Sequence, residues 1–128
     1  MGLEGFLPIA VELEDVGLLW HPEIGDEISS RENLTNVSVL VDTGGLTPRE
    51  LRENYLWLPT VEQMLLQVEV RQAILFHAGL EMSEHSYCYK TVLKSKTGAV
   101  EGQAYSLRDS LGRALCDLLV VEKSKNFH

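Results

Sequence analysis

Leu107, Leu111, Ala114, Leu115 and Leu118 follow one another at steps of four, three, one and three residues. On an α-helix those positions make a single apolar stripe. It is the stripe of a helix that lies on a sheet. Ser106-Leu107-Arg108-Asp109 provides the cap, and the spacing predicts a helix over 107–121. Gly112 in its interior costs about 1 kcal/mol relative to Ala, which marks a place for close packing.

The sheet is legible just upstream. Tyr87–Leu93 alternates and is rich in aromatic and β-branched residues, Lys96-Thr97-Gly98 supplies a turn, and Ala99–Tyr105 returns as a second strand. Two further helices carry capping boxes. Thr47-Pro48-Arg49-Glu50 combines a capping Thr, Pro at the first helical position and Glu at the third, and predicts a short helix over 48–57. Thr60-Val61-Glu62-Gln63 repeats the box. Val61, Met64, Leu65 and Val68 then share one face, which predicts a helix over 61–78 closed by Gly79 as a left-handed cap.

The first 45 residues read differently. Phe6–Leu13 suits a short strand or an extended arm, and Trp20–Ile28 a loop punctuated by Pro22 and Gly25. Val37–Val41 reads as a buried strand that joins the hairpin's sheet and stops at the turn Asp42-Thr43-Gly44-Gly45. The expected fold is α+β: a single small domain over 1–128, with a short, mainly antiparallel sheet packed against about three helices. Residues 1–45 form an acidic strand and loop region, and 47–121 a helix-helix-hairpin-helix core.

Composition narrows the function classes. At 128 residues, 45% apolar and 23% charged, the chain has the balance of a globular domain and no apolar run of membrane-spanning length. Its net charge is -8, and twelve of the 19 acidic residues fall in 1–64 beside three of the 11 basic ones. An acidic half repels phosphate backbones, so nucleic acid is not an expected partner, and without a spanning run no membrane is expected either. The lysine groups Lys90, Lys94, Lys96 and Lys123, Lys125 read as solvated surface. No basic segment precedes an apolar stretch at the N-terminus. A cytoplasmic setting is expected, with Cys88 and Cys116 as free, largely buried thiols.

Residues 60–121 resemble the small α-β-β-α proteins encoded by phages and prophages. The carriers are Thr60-Val61-Glu62-Gln63-Met64-Leu65 and the stripe from Leu107 through Leu115. The resemblance covers about half the chain and implies a small cytoplasmic protein without established catalytic residues, so it transfers no site.

Three constellations bear on chemistry. Val39-Leu40-Val41-Asp42-Thr43-Gly44 resembles the active-site signature of retroviral-type aspartic peptidases, and Leu111-Gly112-Arg113 echoes that family's later motif. The resemblance implies a homodimer in which Asp42 is the acid/base, with Thr43 and Gly44 bracing it; as a plain sequence, the same residues make a strand-ending turn. His77, His85 and Cys88 lie within 12 residues, with Glu81 and Glu84 between, but at no standard ligand spacing for a metal. Trp20, Tyr55 and Trp57 are core residues or, where exposed, a partner surface. Glu12, Glu14, Asp15, Glu23, Asp26 and Glu27 suit a solvated acidic face. The reading that follows is a non-catalytic interaction, assembly or regulatory factor, derived from a mobile element. It uses no cofactor and binds an unidentified protein or itself. The alternatives are the Asp42 peptidase and a metal-binding protein.

Overall fold

The computed structural model describes residues 5–82 and 84–125. The N-terminal residues 1–4 and the last three, His128 among them, lie outside the described residues. Four helices and two antiparallel three-stranded sheets form one small α+β domain. The elements run α1 Leu7–Asp15, β1 Glu27–Ser30, β2 Val37–Val39, α2 Pro48–Asn54, β3 Tyr55–Trp57, α3 Val61–Val70, β4 Ile74–Met82, β5 Tyr87–Ser95, β6 Gly98–Ala104 and α4 Leu107–Lys125. One sheet has the order β2-β1-β3 and the other β4-β5-β6.

The leucine stripe builds the main core. Leu111, Ala114, Leu115 and Leu118 of α4 are fully buried, with Leu93 of β5, Met64 and Val68 of α3, and Ile9 and Leu13 of α1. Two glycines let α4 approach this closely. At Gly102 of β6 an added Cβ would collide with backbone, its contacts including the Ala114 nitrogen at 2.6 Å. At Gly112 it would meet side chains, Ile9 Cγ2 at 2.6 Å and Phe6 Cε1 at 3.0 Å. The Thr91 and Ser110 hydroxyls, both buried, hydrogen-bond across this interface at 2.7 Å.

Both capping boxes form. The Thr47 hydroxyl accepts from the Glu50 N–H and the Thr60 hydroxyl from the Gln63 N–H, while each N3 side chain accepts from its cap's own N–H. The Ser106 hydroxyl accepts from the Asp109 N–H, as expected for the cap of α4.

Four expectations are corrected. Phe6–Leu13 is no strand: Pro8 sits in the first turn of α1, and Gly17 at φ 103° closes it with Leu18 N–H on Leu13 O at 2.9 Å. The helix over 48–57 stops at Asn54, because Tyr55-Leu56-Trp57 pairs with β1. The helix over 61–78 stops at Val70. Its left-handed cap is Gln72 at φ 58°, with Ala73 N–H on Val68 O at 3.1 Å, and Ile74–Met82 departs as a strand that contains Gly79. Finally, Val37–Val41 is not buried. Val37, Val39 and Val41 are exposed, Leu40 alone is buried, and β2 is an edge of the first sheet, separate from the hairpin's.

The two sheets are fastened at Arg108. Its Nη1 lies 3.1 Å from Glu27 Oε1, its Nη2 and Nε donate to the carbonyls of Leu58 and Pro59 at 2.7 and 3.0 Å, and its guanidinium lies over the Phe6 ring.

The backbone clash at Gly102 is harder to relieve than the side-chain crowding at Gly112. Gly102→Ala is expected to lower unfolding free energy by about 2–3 kcal/mol. Gly112→Ala should cost less than Gly102→Ala, about 1–2 kcal/mol, since Ile9 must shift but the substitution gains helix propensity. Urea denaturation compares the two. Gln72→Gly, which relieves a left-handed residue, is expected to stabilise by about 0.5–1 kcal/mol in the same assay.

Candidate interaction surface

The 19-residue helix α4 rests mainly on β6 and β5 and barely touches β4. Burial of Thr91 and Leu93 fixes which face of the sheet looks at α4. In the β4–β5 register their partners are Ala78 and Leu75, and Leu80 and Met82 stand opposite Tyr89 and Tyr87. Leu75, Ala78, Leu80 and Met82 therefore share the α4 side but lie beyond its cover. Every residue of β4 is exposed except Gly79, which is half-buried. Leu75 is 42% exposed, Leu80 56%, Met82 72% and the neighbouring Tyr87 60%.

The other face is mixed. Phe76 occupies a bulge where the register shifts between Leu75 and His77, and the Lys94 ammonium lies 3.4 Å from its ring centroid. His77 Nε2 reaches Glu81 Oε2 at 3.2 Å, its ring passing over Gly79 at 3.6 Å from where a Cβ would stand. Lys90 pairs with Glu101 at 3.4 Å. Among the described strands β4 is hydrogen-bonded to β5 alone, so its second edge leaves backbone N–H and C=O groups unpaired by any strand.

The other expected site residues are placed as follows. Asp42 is exposed in the loop between β2 and α2, where its Oδ1 accepts from the Gly44 N–H, and Gly44 and Gly45 adopt φ 60° and 80°. That is the geometry of a turn. Leu111-Gly112-Arg113 lies within α4, and the four helices take about a third of the chain, unlike the nearly all-strand peptidase architecture. His85 sits in the exposed β4–β5 turn and Cys88 on β5 opposite Glu81. Among the described residues, no three His, Cys, Asp or Glu side chains stand close enough to hold a metal ion.

Trp20 is 5% exposed and donates its indole N–H to Asp26 Oδ2 at 2.8 Å. Asp26 is itself buried; its Oδ1 accepts from Gln63 Nε2 at 2.8 Å. Tyr55 and Trp57 are half-buried, and the Trp57 indole N–H is buried without an acceptor. Trp20 and Trp57 line a pocket of about 380 Å³ with Glu14, Arg31 and Arg52. The charges there are engaged: Arg31 grips Glu14 at 2.6 and 3.1 Å, and Arg52 donates to Trp20 O at 3.2 Å. The acidic cluster is thus partly structural, since Glu14, Asp26 and Glu27 are all bonded.

Compared with known proteins, the chain matches no family model, no curated protein and no solved structure. Among the described residues no helix is long and apolar enough to cross a membrane.

The two thiols differ sharply. Cys88 is half-buried on β5, whereas Cys116 is buried in α4, where desolvation, then Glu12 and Asp117, push its pKa up to about 12 against the pull of Arg113. Thiolate is the reactive form, so Cys116 is expected to be inert at pH 8. A thiol-disulfide reagent should titrate one cysteine in the native protein and both in denaturant.

Proposed function

We propose that this protein is a non-catalytic binding protein that engages an extended segment of a protein partner along the β4 edge. The observation that carries the reading is β4 itself: a nine-residue strand with its outer edge unpaired and large apolar side chains exposed on both faces. Isolated exposed apolar residues are ordinary, but a contiguous row of them on an open strand is the form that strand addition uses. Main-chain hydrogen bonds would supply the attachment. The uncovered row Leu75, Ala78, Leu80 and Met82 would supply the selectivity.

The test is selection of displayed random peptides on the immobilised protein. Enriched peptides are expected to be extended and apolar at alternate positions, and to slow hydrogen exchange of β4 amides when bound. Leu80→Lys should weaken them at least about tenfold while leaving the circular dichroism spectrum unchanged, because Leu80 is exposed. Enriched peptides indifferent to Leu80→Lys, or an absence of any enrichment on protein immobilised sparsely enough that copies cannot pair, would refute the assignment of β4.

A further inference from the structure

The β4 edge is complementary to itself. In an antiparallel pair of identical strands related by a twofold axis, residues i and j stand opposite with a constant sum, and opposite residues share a face. Centring the axis on Gly79 sets His77 of one strand opposite Glu81 of the other, twice, and sets Ala78 opposite Leu80, twice. An imidazole meets a carboxylate on one face, where each can exchange its partner within the chain for one across the axis, and a small side chain meets a large one on the other. At the centre the two Gly79 residues meet, the half-buried position of β4, over which each His77 ring already reaches toward Glu81. The bulge at Phe76 bounds the regular ladder, leaving 77–81 as the symmetric stretch free of irregularity.

We propose that a second copy of this chain is the occupant: β4 pairs antiparallel with β4 of its twin about Gly79, joining two three-stranded sheets into one of six strands. The proposal rests on β4 being the binding edge. The axis stands perpendicular to the sheet, so both α4 helices lie on one side, and Leu75, Leu80, Met82 and Tyr87 of the two copies merge into one apolar strip in the gap between them. With Ile74 and Phe76, each copy brings six side chains between 42% and 72% exposed. Pairing covers only the part of these side chains that faces the twin, so the area buried falls below the roughly 800 Å² per partner of a standard interface and the association is a weak one. The competing edges fit less well. β2 and β3 have only three residues each, and β6 offers no row of large exposed apolar side chains.

The experiment is analytical ultracentrifugation of the full chain from micromolar to near-millimolar concentration. A monomer-dimer equilibrium is expected. Leu80→Lys should raise the dissociation constant about tenfold or more. Glu81→Lys, which removes the charge opposite His77, should raise it about threefold to thirtyfold. The double variant His77→Glu, Glu81→Lys places a carboxylate opposite an ammonium in the same register and should return the constant to within about threefold of wild type. Unchanged circular dichroism of each variant excludes misfolding as the cause. A wild-type chain that stays monomeric throughout overturns the proposal. If selected peptides still bind β4 in that case, the edge reading survives and only the second copy falls. A dimer indifferent to all three variants also overturns it, because the copies then meet elsewhere.

Discussion

The near-contact of α4 with β6 at Gly102 governs much of the molecule. Because position 102 has no side chain, the helix backbone settles directly on the strand, and the Thr91–Ser110 hydrogen bond holds it there. A helix with its side chains is about 10 Å across and strands are spaced about 4.8 Å apart. A helix seated on the outer strand of a three-stranded sheet therefore covers two strands and leaves the third. The third is β4. The same close approach that seals Leu93, Leu111 and Leu115 leaves Leu80 and Met82 in water. Core and candidate surface are two consequences of one seating.

The second sheet depends on that seating as well, through polar contacts. Arg108, one residue into α4, satisfies two carbonyls at the end of β3 and pairs with Glu27 at the start of β1. Asp26 binds Trp20 and the capping-box residue Gln63 of α3, so the loop before β1 is tied to the helix that precedes β4. Groups that read as a solvated acidic face along the chain include the fasteners between its two halves. Their partners are distant in sequence, which is why composition reveals their charge but not their role.

What was legible in the sequence were features decided locally. The capping boxes at Thr47 and Thr60, the hairpin from Tyr87 to Ala104 and the leucine stripe each depend on residues within a few positions. The failures share a cause. The helix from Val61 ends on a left-handed Gln72, where glycine is the usual signal, so the apolar run Ala73–Phe76 looked like a continuing helix. The pair Pro8 and Gly17 did bracket α1, a signal the apolar run from Phe6 masked. Val37–Val41 has the residue types of a buried strand, but β-branched residues suit an edge strand equally well. The candidate surface was the least legible of all, because it is defined by what fails to cover it. No local pattern reports the reach of α4.

An exposed apolar edge ordinarily invites open-ended aggregation, and several features here oppose it. The net charge of -8 makes unspecific association repulsive. The Phe76 bulge interrupts the ladder at one end of β4, and Lys94 covers its ring. β6, at the far edge of the same sheet, carries α4 over it and presents Glu101, already paired to Lys90. The two edges of this sheet therefore differ in character: β4 presents an uncovered apolar row, and β6 a strand whose one face is taken by α4. Pairing through identical edges about a twofold axis uses up both receptive edges at once and so closes at two copies, whereas head-to-tail pairing of unlike edges would run on as a fibre. The features that make β4 sticky are thus matched by features that limit how far its stickiness extends, which is the asymmetry a specific binding edge requires.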